Sequence, residues 1–330
     1  MTEIKVSIIC SVFNHGKYIR RCLEGFVSQK TDFNYEVLIH DDASTDNSAQ
    51  VIREFEEKYP EIIKPIYQTE NQFSKKIPIN ITYQFPRVKG KYIAICEGDD
   101  YWIDEYKLQK QVDYMDAHPD CTFCFTNGYI EDVSDNGKMR DFIPYNSEDA
   151  AVYTGESREY TLYDMHEMTF VPTASYLMPT ETLNRIIPWT RERCPTADLR
   201  WRLYATACGY AYYLNDKTCV YRQNVSGSAM TTWKSYDRRQ TYSHNEKIVN
   251  MILKLDELFD GKYQREVEKL AYPYIRGMIF SASSFKALKP DMHKRVYKSL
   301  PASLRARCVI KILIPNFFWK MIRKIKKGVR

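Results

Sequence analysis

Apolar positions along the first 125 residues change period repeatedly. Lys5-Val6-Ser7-Ile8-Ile9-Cys10 is a short apolar run that reads as a buried strand, and it ends in Ser11-Val12-Phe13-Asn14-His15-Gly16. Tyr18, Leu23, Phe26 and Val27 follow at roughly helical spacing. Glu36 to His40 predicts a second strand, closed by Asp41-Asp42-Ala43-Ser44-Thr45-Asp46. Ser44 or Thr45 is placed to cap the next helix, which carries Val51, Ile52, Phe55 and Tyr59. A third strand is expected over 62–67, a broken helix over 77–88 and a fourth strand over 91–97. A helix through Leu108, Val112 and Met115 and a strand over 121–126 complete the series. Strands alternating with helices predict an α/β fold with a mostly parallel, doubly wound sheet.

Beyond this the alternation fails. Residues 128–172 are polar, aromatic and irregular; Thr173 to Met178 resembles a strand, and Pro179-Thr180 opens a helix over Leu183 to Ile187. Thr196-Ala197-Asp198 precedes a helix through Trp201, Leu203, Tyr204 and Cys208, stopped by Gly209. Tyr210 to Arg222 reads as two short strands and Gln223 to Thr232 as a small-residue loop. The expected organisation is a domain over 1–232 with halves at 1–127 and 128–232, a helical extension over 233–302, and a tail over 303–330.

Composition alters this picture in two places. The chain has 330 residues and a formal net charge of +6, but nine Lys/Arg and no acid lie between Arg305 and Arg330. The remainder carries 39 basic and 42 acidic residues, a net charge of −3, which argues against nucleic acid as a partner. Nine cysteines are scattered without repeating spacing, and the one CxxC, Cys121 to Cys124, lies inside an apolar run. Buried free thiols in a reducing compartment are expected, and zinc is not. The sequence enters a strand at Ile4 without a charged-then-apolar leader, and no apolar run reaches the roughly 18 residues of a membrane span. A cytoplasmic location follows as an expectation.

The candidate chemistry lies in Tyr92-Ile93-Ala94-Ile95-Cys96-Glu97-Gly98-Asp99-Asp100-Tyr101-Trp102, where an apolar run ends in three carboxylates within four residues. Open α/β sheets bind ligands at the carboxyl ends of their strands. Converging carboxylates repel unless a cation joins them, and hard oxygen donors suit Mg2+ or Mn2+ with substrate phosphates. The alternative is a solvated acidic turn. Asn14, Asp41 and Asp42 recur at equivalent strand ends, which favours a metal-bridged nucleotide-diphosphate site.

Three stretches in order, Ser7 to Asn14, Asp41 to Asp46 and Glu97 to Trp102, resemble glycosyltransferase family 2, a GT-A family. The resemblance covers residues 4–125, and 170–228 more loosely. It implies sugar transfer from a nucleotide-sugar, commonly of UDP, to an acceptor hydroxyl with inversion. It also implies that Val12, Phe13 and Asn14 border the nucleotide, with Gly98 beside it, and that Asp41 reads the base edge. Glu97 and Asp99 fall on the family's DxD positions, Glu97 near ribose or metal-bound water and Asp99 on the metal. Asp100 then lies behind the metal or adds a ligand. The family's base matches Asp198, although an acid in a helix's first turn also stabilises the helix dipole. An Arg-Asn pair usual in the family is replaced by Ile81 and Thr82, leaving Lys75, Lys76 and Arg87 as nearby cations. Arg222 follows Tyr221 as in the family, and could approach the diphosphate or serve as a surface ion-pair partner. The acceptor side, for a saccharide or glycolipid, is expected from 128–175. A nucleotidyltransferase and a non-catalytic sugar-nucleotide-binding protein are the rival readings.

In the tail, Ile314, Phe318, Met321, Ile322 and Ile325 share one helical face, opposite Lys320, Arg323, Lys324, Lys326 and Lys327. This is the pattern of an interfacial amphipathic helix, and each basic residue contributes on the order of 1 kcal/mol at an anionic surface. A helix packed on the domain is the alternative. The expected outcome is co-sedimentation of the full chain with anionic vesicles; no binding with the tail intact would remove the predicted peripheral location at the inner face of the membrane.

Overall fold

β1 (Ile4–Val12) turns Val6, Ile8, Cys10 and Val12 to one face, and all four are buried. α1 (Ile19–Val27) covers them with Ile19, Cys22, Leu23 and Phe26. β2 (Asn34–Asp41), α2 (Ser48–Lys58) and β3 (Ile63–Tyr67) add Val37, Ile39, Val51, Ile52, Phe55 and Ile63 to the same core. These features belong to a computed structural model that describes residues 3–142, 155–166, 168, 171–190, 195–282 and 291–313.

The broken helix over 77–88 is a π-turn at Asn80–Gln84 running into a 3-10 turn at Phe85–Arg87. Gln84 fixes it, its Nε2 donating to Cys10 O at 3.1 Å and Leu38 O at 3.0 Å. β4 (Tyr92–Ile95) and β5 (Tyr101–Trp102) flank the acidic stretch, so the chain leaves the sheet two residues before the expected end at 97. α3 (Lys107–Ala117), β6 (Cys121–Asp132), β7 (Lys138–Asp141), β8 (Arg158–Tyr160), β9 (Leu177–Pro179), α4 (Thr180–Thr190), α5 (Ala197–Cys208) and β10 (Tyr210–Gln223) follow.

The strand order is β3-β2-β1-β4-β9-β6-β10-β5, with β7 on β6 and β8 on β10. β1 to β4 form a parallel block through the β1–β2, β1–β4 and β2–β3 pairs, and β6 runs parallel to β10. β9 joins the blocks antiparallel to β4 and to β6, making the sheet mixed.

Four local expectations are corrected. Thr173–Ser175 is a 3-10 turn, and only Leu177–Pro179 is strand. Tyr210–Gln223 is one strand, whose register slips between Leu214 and Cys219, where polar Asn215 and Asp216 interrupt the apolar pattern. β6 runs on to Asp132 because its polar end pairs with β7 and β10. The first turn of α2 is held by Asp46, whose Oδ1 accepts from Ser48 N at 2.9 Å, while the Ser44 hydroxyl turns back to Asp41.

The contacts divide the chain into two units, residues 1–193 with 197–226, and residues 227–330 with 194–196. In the second, α6 (Ala229–Lys234) precedes α7 (Arg238–Leu258), which opens with a capping box: Gln240 N donates to Asp237 Oδ1 at 2.8 Å and Asp237 N to Gln240 Oε1 at 2.9 Å. α7 packs on α8 (Gln264–Ser281) through buried Ile248, Ile252, Leu255, Leu270 and Ile275. α9 (Asp291–Ser299) and α10 (Ala302–Leu313) follow. Among the described residues no helix is long and apolar enough to cross a membrane. The amphipathic segment from Ile314 onward lies outside the described residues.

One fully buried cation stands in the core of the first unit. Lys107 Nζ lies 4.2 Å from the Trp102 ring centroid and donates to Gln111 Oε1 at 2.7 Å. Burial pushes its pKa from 10.5 down to about 8, against the attraction of the Cys219, Cys96 and Cys124 thiols and Asp104. Between those values the unfolded chain holds the proton and the folded chain does not, so this group makes stability rise with pH there and gives no slope below. Wild type should therefore gain on Lys107→Met by about 2–3 kcal/mol between pH 8 and 10.5, measured by urea unfolding.

Candidate active site

The ends of β1 and β2 are stitched together by their turns. Asn14 adopts a left-handed backbone, φ 56°, and its N–H donates to Ser44 Oγ at 2.9 Å. Asn14 Oδ1 accepts from Thr45 N at 2.8 Å, and the Ser44 hydroxyl donates to Asp41 Oδ1. Asp41 is 2% exposed, and burial raises its pKa against the opposing pull of Ser44. Val12 is buried beneath the turn and Phe13 projects from it.

The acidic stretch lies beside these turns. A side chain in place of Gly98 would force its neighbours to move, because a Cβ would come within 2.9 Å of both His15 Nδ1 and Val12 Cγ2. Its N–H donates to Ser11 O at 3.0 Å. Gly25 of α1 lets the motif seat from behind, since a Cβ there would meet Trp102 O at 2.8 Å. The indole Nε1 of Trp102 donates to Ala174 O at 2.7 Å.

The three acids occupy different surroundings. Glu97 is solvent-accessible, yet the surrounding protein and the nearby Asp99 and Asp198 push its pKa up to about 8, a shift that its contact with water tempers. Asp99 is partly exposed, with Oδ2 4.0 Å from His15 Nε2. Asp100 is 1% exposed; its Oδ1 accepts from Arg222 N at 2.8 Å, and its Oδ2 has no hydrogen-bond partner. Burial, then Asp99 and Glu97, raise the Asp100 pKa well above the carboxylate range. The motif is thus short of positive charge.

Asp198 stands in the first turn of α5, partly exposed, and burial raises its pKa although Arg202 and the Leu199 N–H oppose this. Its charge acts on Glu97, which brings it into the same electrostatic cluster. Tyr221 sits in the field of all four acids: burial, then Asp100, Glu97, Asp99 and Asp198, raise its pKa and keep the phenol protonated.

Arg222 is not a surface residue. It is 8% exposed, with Nε donating to Glu131 Oε2 at 3.0 Å and Nη1 to Asp99 O at 2.9 Å. Its guanidinium lies 4.4 Å from the Tyr101 ring centroid and 5.0 Å from that of Tyr18. A planar, five-donor cation suits such a seat. The substitute cations are largely committed elsewhere: Arg87 donates to Lys64 O at 2.6 Å and to Gln84 Oε1 at 3.3 Å, and Lys75 pairs with Glu70. His15 and Tyr221 were given no role by sequence reasoning. Their positions depend on the Gly98 contact and on the strand face of β10, neither of which has a local sequence signal.

Oxygen donors short of positive charge, with one buried oxygen unpartnered, fit a hard divalent cation. Among the described residues no three His, Cys, Asp or Glu are already grouped to hold one. Mg2+ usually takes only one or two carboxylates and completes its shell with phosphates and water, so this set remains compatible with it.

The sheet and its strand-end acids define a GT-A fold. The structure of TarS from S. aureus in complex with UDP matches with a TM-score of 0.59 at 17% identity, over 94% of this chain and 88% of that one. The mannosyltransferase PcManGT from Pyrobaculum calidifontis, in complex with GDP-Man and Mn2+, matches at 0.57 and 16% identity, over 98% and 84%. The glycosyl transferase family 2 model matches residues 7–178, just over half of the chain, and the chain belongs to that family. An uncharacterised protein of Mycobacterium bovis is 43% identical over 120 residues, 36% of this chain and 34% of that protein. The chain therefore spans about a third of that relative's length. WfaP of Escherichia coli, a UDP-Glc:alpha-D-GlcNAc-diphosphoundecaprenol beta-1,3-glucosyltransferase, is 32% identical over 126 residues, 38% of this chain and 47% of that one.

The Arg222 seat predicts a measurable cost. Arg222→Met strands the Glu131 carboxylate and the Asp99 carbonyl, and should destabilise the fold by about 2–4 kcal/mol in urea unfolding. Arg222→Lys should recover only part, since one ammonium cannot reproduce the planar fork.

Proposed function

We propose that the chain is an inverting glycosyltransferase that uses a divalent metal and a nucleotide-sugar, with UDP-sugars the first donors to test. The observation that carries this reading is the convergence of Glu97, Asp99 and Asp100, which follow β4, with Asp198 at the start of α5, near enough for the Asp99 and Asp198 charges to act on Glu97. Asp99 and Glu97 would hold Mg2+ or Mn2+ together with the donor diphosphate, and the bound ion would act as a Lewis acid on the departing charge. Asp100, fixed by the Arg222 N–H, braces the motif. Val12, Phe13, Asn14 and Gly98 border the nucleotide, and Asp41, whose Oδ1 accepts from the Ser44 hydroxyl, takes the base edge.

Asp198 takes the proton from the acceptor hydroxyl. Its raised pKa brings it nearer to the operating pH than an ordinary aspartate, which suits a general base. Arg222 steadies the motif through the backbone of Asp99, from where it can also approach the diphosphate. The acceptor is a saccharide or a lipid-linked glycan in surface polysaccharide synthesis, a reading supported by the acceptor named for WfaP. An enzyme at the inner face of the membrane, held there by its basic tail, would meet such an acceptor.

The test is donor turnover with and without acceptor across UDP-, GDP- and dTDP-sugars. Release of a nucleoside diphosphate is expected; release of pyrophosphate would instead indicate a nucleotidyltransferase. Asp99→Asn should abolish metal-supported nucleotide binding. Asp198→Asn should lower transfer by about 10²–10⁴-fold while leaving nucleotide binding intact. Full transfer activity in both variants would overturn the assignment, and nucleotide-sugar binding without turnover on a broad acceptor panel would favour a non-catalytic role.

A further inference from the structure

The Thr173–Ser175 turn stands at the acid motif. β9 pairs antiparallel with β4, Ala94 with Leu177, Ile93 with Met178 and Tyr92 with Pro179. The residues before Leu177 therefore run on past the carboxyl end of β4, alongside the start of the acidic stretch. Each carbonyl from Pro172 to Ser175 is committed. Pro172 O accepts from Ser175 N at 2.9 Å and Ser175 Oγ at 2.7 Å, and Thr173 O from Tyr176 N at 3.1 Å. Ala174 O accepts from Trp102 Nε1 at 2.7 Å, and Ser175 O from Gln111 Nε2 at 2.9 Å. Ala174 and Ser175 are fully buried, and Thr173, 7% exposed, carries the hydroxyl that these bonds leave over.

The two outer donors reach the turn from different elements, β5 and α3, and share one neighbour. Lys107 Nζ lies 4.2 Å from the Trp102 ring centroid and donates to Gln111 Oε1 at 2.7 Å. An ammonium only donates, so it fixes the sense of the Gln111 amide: Oε1 takes Lys107, and Nε2 is left to face Ser175 O, with Cys124 O at 3.5 Å. The same cation lies over the Trp102 indole, and Phe26 packs T-shaped against that ring at 4.8 Å. A buried lysine costs desolvation that an apolar residue of similar size would not. What this one secures is direction, since the amide and the indole are both aimed at successive carbonyls of one turn. Trp102 follows Asp100 by two residues, so the turn and the acid motif are held as one piece.

We propose that Gln111 and Trp102, aligned by Lys107, are positioning residues for the transfer, and that the turn they fix is a rigid wall for a saccharide ring beside the acid motif. This rests on the glycosyltransferase reading above. The ring is that of the transferred sugar or of the acceptor saccharide, and Thr173 presents its hydroxyl to it. Displacing such a wall by about 1 Å misplaces the reacting atoms and costs on the order of 10²-fold in rate, without touching the nucleotide.

The test is turnover of UDP-, GDP- and dTDP-sugars by the full chain with Mn2+, without and with a panel of free and lipid-linked saccharides, beside calorimetric titration of the matching nucleoside diphosphate. Gln111→Glu keeps a partner for Lys107 and loses the donor to Ser175 O. Trp102→Phe keeps an aromatic ring and loses the donor to Ala174 O. Each should lower turnover by about 10- to 100-fold and leave nucleoside diphosphate affinity at its wild-type value. The double variant should lose less than the product of the two, because both act through one turn. Thr173→Val should lower turnover in the same arm. Loss of donor hydrolysis without acceptor assigns the wall to the transferred sugar, and loss confined to transfer assigns it to the acceptor. Wild-type turnover in either single variant, or an equal loss of nucleotide affinity, overturns the wall alone. A wild-type chain that turns over none of these donors, with or without acceptor, overturns the wall and the glycosyltransferase reading together.

Discussion

Carboxylates crowded at the end of β4 repel one another, and the fold holds them there with backbone dipoles and a single guanidinium. Arg222 meets the motif twice, through its N–H at Asp100 and its Nη1 at the Asp99 carbonyl. Neither contact neutralises the Asp99 carboxylate. The arginine therefore fixes geometry while leaving the outward-facing acids short of positive charge, a condition that a ligand-borne cation can relieve. Behind the motif, Lys107 is held against the Trp102 ring and tied to Gln111, so its ammonium is engaged within the core.

This arrangement depends on the order of strands. Glu97, Asp99 and Asp100 follow β4, whereas Arg222 belongs to β10 and Asp198 to the helix before it. β4 and β10 are not neighbours; β9 and β6 stand between them. The three-residue antiparallel β9 closes the sheet between the two parallel blocks, and β5 then pairs back onto β10 through Cys219 and Val220. The acidic turn is thus clamped between β4 on one side and β10 on the other. A slip of one residue in β10 would turn Arg222 and Tyr221 to the wrong faces.

Much of the first half was legible in the sequence because its elements are long, periodic and punctuated by acids and glycine. The acid motif, the Asn14 and Asp41 turns and the start of the helix at Asp198 all lie where their residue types suggested. The parts that escaped have identifiable causes. β9 is too short to show a period, and β10 is broken on paper by Asn215 and Asp216 although its pairing merely shifts register there. Arg222 reads from sequence as either a diphosphate contact or a surface ion-pair partner; its burial excludes the second and comes from Glu131, Tyr18 and Tyr101, which are distant in sequence. Ser44 is a good helix cap by type, but Asp41 and Asn14 compete for its hydroxyl and win, leaving Asp46 to hold the helix.

The same competition extends to the cations near Ile81 and Thr82. Arg87 holds the carbonyl of Lys64, and Lys75 pairs with Glu70. Two buried charged groups, Arg222 and Asp42, instead act on backbone: one fixes the acid motif, the other fixes the turn carrying Phe73. Both convert ionic groups into rigidity, which costs desolvation and is retained where geometry matters more than net charge. On the proposed reading, neutralisation of the departing diphosphate falls chiefly on a metal at Asp99 and Glu97. A site organised in this way should depend more steeply on its divalent ion than relatives that keep the arginine, because fewer protein cations share the same charge.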